Sequence, residues 1–164
     1  MMPADQKFWK GFIRAAAISA VVWILLMTAL AKFIWAWEGV VIHHTATPNG
    51  KEYSLERCNQ DHRARGFTSC GYGFLIGPDG VLVRSRGFRE VGAHARGYNS
   101  QFLGIAVVGH SIANRSQFKT LQRFIKKLRR RDREMLVICH KDVGRTLCPG
   151  QGLTDQIKRI ADET

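Results

Sequence analysis

Apolar residues recur along the chain in short runs with two different periods. Five apolar runs predict β-strands, at residues 39–43, 72–76, 81–83, 103–108 and 135–139. Ser54 is a predicted cap for a helix that runs to about Arg65. Phe118, Leu121, Ile125 and Leu128 form one apolar face of a second helix, and residues 153–161 predict a third. Strands that alternate with helices predict an α/β fold with a central mixed β-sheet flanked by helices on both faces.

The longest apolar run lies near the N-terminus. No charged residue occurs from Ala15 to Ala31, and the run resumes after Lys32 and continues to Trp37. A membrane span needs about 20 such residues, and the basic residues before the run predict a cytoplasmic N-terminus. We therefore predict that residues 1–37 form a signal-anchor transmembrane segment in the inner membrane, and that residues 38–164 form one domain outside it. A cleaved signal peptide with Ala29-Leu30-Ala31 at its cleavage site is the alternative.

The net charge of +12 is concentrated on one predicted helix. Residues 119–133 hold eight basic side chains and one acidic side chain. A basic helix is typical of nucleic-acid binders, but no aromatic residue interleaves on its basic face, so we expect no nucleic-acid partner. The face is either simply solvated or binds an anionic polymer of the cell envelope. The domain is expected to be monomeric.

Four residues with metal-binding side chains lie at or after the ends of two predicted strands. His43 and His44 end the first strand, His140 ends the last, and Cys148 follows it. Strand ends meet at one edge of an open α/β sheet, and two imidazoles with one thiolate form a zinc site that leaves a fourth position for water. Adjacent strand residues face opposite sides, so only one of His43 and His44 can join it. On spacing alone the indication is weak, because a single Cys is usually a small buried apolar residue.

Four segments, in order, resemble the motifs of a known enzyme family. They are residues 41–47 (VIHHTAT), 71–80 (GYGFLIGPDG), 91–100 (VGAHARGYNS) and 140–150 (HKDVGRTLCPG). The family is that of the zinc-dependent type 2 N-acetylmuramoyl-L-alanine amidases, which includes phage amidase lysozymes and animal peptidoglycan recognition proteins. With the N-terminal segment, the chain is similar to phage signal-anchor-release endolysins. The resemblance implies one Zn²⁺ ion, peptidoglycan as the substrate, and hydrolysis of the bond between N-acetylmuramic acid and L-alanine.

The resemblance also implies a role for each matching residue. The zinc ligands are His43, His140 and Cys148, the catalytic residues are Tyr72 and Thr146, and the substrate-binding residues are His44, His94, Arg96 and Asn99. Gly73 stands where the family usually has His or Asn, so we expect looser positioning of Tyr72. An anchored or secreted wall-remodelling amidase shares every one of these residues with a lysis enzyme. A non-catalytic peptidoglycan-binding module would typically lack the cysteine, so Cys148 argues against it.

The remaining cysteines leave the disulfide pattern open. Cys58, Cys70 and Cys139 are one too many for a single bridge. A bridge between Cys58 and Cys70 is one interpretation, and a pair of free thiols is the other. Cys139 precedes a predicted ligand on a strand, so its side chain is expected to face the core.

Overall fold

The computed structural model describes residues 19–26, 37–87 and 90–163. These residues fall into two units, of which the first contains the helical residues 19–26 and the second begins at Trp37. The strands of the second unit are β1 (Gly39–His44), β2 (Phe74–Ile76), β3 (Leu82–Arg84), β4 (Phe102–Val107) and β5 (Leu136–Cys139). Its helices are α1 (Leu55–Arg63), α2 (Arg115–Arg129), α3 (His140–Val143) and α4 (Gln151–Glu163).

The five strands form one sheet in the order β3-β2-β4-β1-β5. The strands β2, β4, β1 and β5 are parallel, while β3 pairs antiparallel with β2 at the edge, which confirms the predicted mixed sheet. In this register His43 is level with Ala106, and Ile42 is level with Cys139. The carboxyl ends of β1 and β5 therefore lie side by side, which brings His43 next to His140.

Helices cover both faces of the sheet, as predicted. On one face, Leu75 and Ala106 form a buried cluster with Cys58 of α1. On the other face, the ring of Phe74 packs against Phe124 of α2, with 4.7 Å between the ring centroids. Successive strand residues point to opposite faces, so β2 contributes Leu75 to one layer and Phe74 to the other. The helix α4 packs beside α2 and against β5.

The helix α2 begins with a capping box and buries three of the four residues of the predicted apolar face. Asn114 accepts from the backbone N–H of Gln117, whose side chain accepts in return from the N–H of Asn114. The side-chain amide of Gln117 also donates to the carbonyl of Val108 over 2.7 Å. Because Gln117 is buried in this way and Phe124 is buried too, Phe118 is only half-buried, while the predicted Leu121, Ile125 and Leu128 lie in the core.

Two local features refine the sequence-based expectations. Ser54 caps α1 by accepting from the N–H of Arg57, as predicted. A disulfide joins Cys58 of α1 to Cys70 just before β2, so the bridged alternative is the one found. Beyond β5 the chain turns at once into the short helix α3, which the strand pattern did not predict.

The predicted membrane location is overturned. Of residues 15–37, the structure describes 19–26 and Trp37; residues 1–18 and 27–36 lie outside the described residues. No helix in the described part of the chain is long and apolar enough to cross a membrane. Trp37, predicted to lie at a membrane interface, is buried in the second unit, at 9% exposed.

Candidate active site

The three predicted metal ligands come together at the carboxyl edge of the sheet. One ligand atom each from His43, His140 and Cys148 lies within 4.8 Å of the other two. The Nδ1 atom of His43 is 4.0 Å from Cys148 Sγ, and the rings of His43 and His140 have centroids 4.4 Å apart. This donor set is the His₂Cys combination of zinc sites that keep one position open.

The lowered pKa of His43 suits a bound cation, whereas the raised pKa of Cys148 favours the thiol while no metal is bound. Burial, and next the neighbouring His94, hold the pKa of His43 well below its usual range, so its ring is neutral and offers a lone pair. Burial raises the pKa of the Cys148 thiol to about 11. The backbone N–H of His44 donates to Cys148 Sγ over 3.4 Å, which favours a thiolate there. A metal ion that displaces the thiol proton would complete the set, so the residues fit zinc.

The segment that carries Cys148 is folded back onto α3. The N–H of Lys141 donates to the carbonyl of Cys148 over 2.8 Å, and Asp142 accepts from the N–H of Cys139 over 2.8 Å. Thr146, predicted to be catalytic, accepts from the N–H of Cys148 through Oγ1 over 3.1 Å. Its hydroxyl oxygen is therefore tied to the backbone of the cysteine.

Tyr72 lies beside the three predicted ligands. Its ring centroid is 5.2 Å from that of His43, and burial raises the pKa of the phenol to about 12. The backbone of Gly73 is fixed on both sides, by a bond to Gly104 O over 2.8 Å and by the N–H of Ser85. A Cβ at position 73 would overlap the buried side chain of Leu103. Glycine therefore lets this segment pack against β4, and looser positioning of Tyr72 stays a prediction.

His94 lies behind His43, although the sequence predicted it in the substrate groove. Its Nδ1 is 3.1 Å from His43 Nε2, and its Nε2 is 3.0 Å from the carbonyl oxygen of Phe102. Asn99, predicted with it, accepts from the backbone N–H groups of His94 and Ala95 over 2.8 and 2.9 Å. Both side chains thus contact protein, whereas the neighbouring Arg96 is exposed.

His44 lines a cavity near the three predicted ligands, although none of those ligands is among its lining residues. The cavity has a volume of about 350 Å³ and is lined by His44, Lys141 and Leu147 among others. Each of these is adjacent in sequence to one of the three predicted ligands. Leu147 is 90% exposed, which is unusual for a large apolar side chain. The opening beside the candidate metal centre thus combines basic and apolar groups.

Arg86 is a structural residue of the site that sequence reasoning missed. Its buried guanidinium donates to the carbonyls of Cys70 and Val91, each over 2.7 Å, and to Ser69 Oγ over 3.2 Å. It also pairs with Glu90 over 3.2 Å. It therefore joins the segment that leads to Tyr72 with the segment that leads to His94. No motif marks it in the sequence.

His62 is a second missed residue. It is only 3% exposed, its Nδ1 accepts from the N–H of Gly71 over 2.9 Å, and its ring lies 5.3 Å from that of Tyr72. Burial lowers its pKa to about 4. Its spacing of four residues from Cys58 on α1 was the available signal, since both belong to the buried face of that helix.

Fold and site together define an α/β protein with a candidate metal centre at the carboxyl edge of its sheet. The family profile described as N-acetylmuramoyl-L-alanine amidase matches residues 35–151. A peptidoglycan-recognition protein of Drosophila simulans is 34% identical over 131 residues, covering 73% of this chain and 72% of that protein. The endolysin of Enterobacteria phage K11 is 28% identical over 125 residues, which are 71% of this chain and 83% of that protein.

A solved structure is similar to this chain and is also an N-acetylmuramoyl-L-alanine amidase. The N-acetylmuramoyl-L-alanine amidase LysC from Clostridium intestinale superposes with a TM-score of 0.70 at 29% identity, covering 78% of this chain and 87% of that one. The chain belongs to the N-acetylmuramoyl-L-alanine amidase family. Its activity is that of a peptidoglycan amidase.

Proposed function

We propose that this chain is a zinc-dependent enzyme that hydrolyses the amide bond between N-acetylmuramic acid and L-alanine, with residues 38–164 as its amidase domain. The observation that carries the proposal is the meeting of His43, His140 and Cys148 within 4.8 Å of one another. Groups of side chains that could bind a metal are common in proteins, but this group lies at the strand ends where ligands bind in α/β folds. Membership of the amidase family supports the choice of bond.

The chain's own residues support amide hydrolysis in distinct ways. Bound zinc would supply Lewis-acid chemistry, polarising the scissile carbonyl and activating water. Tyr72 is a phenol at neutral pH, and burial raises its pKa further to about 12, so its O–H can donate to the carbonyl oxygen as negative charge develops there. The oxygen of Thr146 already accepts from the N–H of Cys148, which leaves its own proton free to donate. We assign Thr146 as the second donor.

Substrate binding falls to the cavity beside the three predicted ligands. His44 and Lys141 provide polar and cationic groups on its wall, and Leu147 provides an apolar one. Peptidoglycan offers both carboxylates and apolar lactyl and alanyl methyl groups, which match this lining. Arg96 is exposed and remains available as a further contact. We do not assign substrate binding to His94 or Asn99, because their side chains already bind protein groups.

The direct test is mass spectrometry of peptidoglycan digested by the purified chain. We expect free stem peptides beginning with L-alanine and glycan strands with unmodified lactyl groups, after zinc is supplied to chelator-treated protein. Chelator-treated protein without added zinc should release none. Cleavage at full rate by the metal-free protein would contradict zinc dependence, and cleavage at another bond would contradict the assigned activity.

We further propose a lysis role of the endolysin type, which the likeness to the phage K11 endolysin supports. A lysis enzyme cuts enough bonds to break the wall, whereas a remodelling amidase cuts few. Purified protein should therefore clear suspensions of cells whose wall is exposed. Release of stem peptides without loss of turbidity would favour the remodelling alternative.

The exposed face of α2 is proposed to bind anionic polymer of the cell envelope. Lys119, Arg123, Lys126 and Arg130 recur every three or four residues, are exposed, and lie opposite the buried face. Sedimentation with wall fragments should weaken as salt rises, since Coulomb attraction is screened. Replacing Lys119, Arg123 and Lys126 by Gln should remove this salt dependence. Equal sedimentation of the variant and the wild type would contradict the role.

A further inference from the structure

His94 is held in a slot that only glycine residues can form. Its imidazole lies between the backbones of Gly92 and Gly104, and a Cβ built on either would stand 2.5 Å from the ring atom Cδ2. Real Cβ atoms do not approach so closely, so any other residue at 92 or 104 would displace the ring. Asn99 fixes the backbone on the third side by accepting from the N–H of His94 over 2.8 Å. The ring therefore has one defined position.

The hydrogen bonds of the His94 ring determine which nitrogen of His43 keeps a lone pair that can bind a metal. The carbonyl oxygen of Phe102 can only accept, so the Nε2 of His94 carries a proton. In a neutral ring the Nδ1 of His94 is then an acceptor, and its partner, Nε2 of His43, must donate. The remaining lone pair of His43 is on Nδ1, which is the nitrogen that faces Cys148 Sγ. The chain from Phe102 O through His94 to His43 thus presents the ligand atom to the metal position.

We propose that His94 is a positioning residue for the metal centre, which fixes the tautomer and orientation of His43 so that Nδ1 binds zinc. The inference rests on the zinc dependence proposed above. Groups that hold the far nitrogen of a metal-binding histidine typically contribute about 10- to 100-fold in metal affinity. The same position predicts that His94 acts through His43.

The test compares zinc affinity, measured by competition with a chelating indicator, in the full-length protein. His94→Leu removes both hydrogen bonds and should lower the affinity about 10- to 100-fold. His94→Gln offers an amide oxygen to His43 and an amide N–H to Phe102, and should stay within about threefold of wild type. Gly104→Ala keeps the histidine but fills its slot, and should lower the affinity as His94→Leu does.

Controls separate this role from a structural one. His110→Leu removes another nearby histidine, one that contacts His44 instead of His43, and should leave zinc affinity unchanged. Metal-free wild type and His94→Leu should melt within a few degrees of each other, while zinc should raise the melting temperature of the wild type more. If His94→Leu does not fold, His94→Ala replaces it, because it also lacks both hydrogen-bonding nitrogens and should bind zinc more weakly than the Gln variant.

Three outcomes overturn the inference. Wild-type affinity in a folded His94→Leu protein would show that His43 needs no partner. Equal loss in the Gln and Leu variants would show that the hydrogen bonds are not what matters. A wild-type protein that binds no zinc at all would overturn both the proposed zinc dependence and this inference. That result is distinguishable from the other two because it is seen in the unsubstituted protein.

Discussion

The Nε–H of Arg86 donates a 2.7 Å hydrogen bond to the carbonyl oxygen of Cys70, two residues before Tyr72. The same guanidinium reaches Val91, three residues before His94. One buried cation therefore holds together the two segments that carry the proposed proton donor and the partner of His43. The active site depends on this interior contact as well as on its ligands.

Replacing Arg86 by Met should lower both stability and turnover. The change leaves the carbonyls of Cys70 and Val91 without their donor, and a lost bond to a charged partner typically costs about 1.5–3 kcal/mol. We expect the free energy of unfolding to fall by about 3 kcal/mol or more, measured by urea denaturation. Arg57→Met is the control, because its ion pair with Asp61 is exposed and contributes under about 1 kcal/mol. Equal losses in the two variants would contradict the role of Arg86.

Sequence patterns predicted the sheet and the approach of the ligand side chains to one another, because both follow from strand period and strand ends. The apolar runs located β1 and β5, and parallel pairing then brings His43 and His140 to one edge. The roles of His94, His62 and Arg86 could not be read in this way. His94 and Arg86 lie in loops, where a polar residue carries no periodic signal. The spacing of His62 from Cys58 indicates the buried face of α1 but not its hydrogen bond with Gly71. The space that Gly73 leaves for Leu103 could not be predicted from the sequence either.

Breaking the disulfide between Cys58 and Cys70 should destabilise the domain. The bridge closes a loop with a sequence separation of 12, for which the loss of chain entropy corresponds to about 3 kcal/mol. We expect the double variant Cys58→Ala, Cys70→Ala to unfold at lower urea concentration than the oxidised wild type. A reducing agent should shift the wild type towards the variant and leave the variant itself unmoved. A variant as stable as the oxidised protein would contradict the prediction.

Tyr72→Phe should lower the turnover number without loss of zinc affinity. The substitution removes only the phenolic O–H, and loss of one donor to a developing oxyanion typically costs about 100- to 1,000-fold in kcat. Stem-peptide release under zinc-saturated conditions measures the effect. Tyr53→Phe serves as the control, since Tyr53 packs against the Cys58 cluster and is not one of the proposed catalytic residues. A Tyr72→Phe enzyme with wild-type turnover would remove Tyr72 from the mechanism.

Acidification should destabilise the metal-free protein partly through His62. Burial lowers the pKa of His62 to about 4 in the folded state, whereas an unfolded histidine titrates near 6.5. The unfolded state therefore takes up the proton first, so the stability contribution is complete above about pH 6.5 and is lost as the pH falls towards 4. Each unit of that interval is worth about 1.4 kcal/mol, which makes about 3 kcal/mol in all.

His62→Gln isolates this contribution, because glutamine can still accept from the N–H of Gly71 but does not titrate. His43 and His94 are also buried with lowered pKa values, and they stay in both proteins. Between pH 7 and pH 4, the free energy of unfolding of the wild type should therefore fall by up to about 3 kcal/mol more than that of the variant. Urea denaturation in the presence of a chelator measures it. Parallel pH profiles would show that His62 is as free to take up a proton in the folded domain as in the unfolded chain.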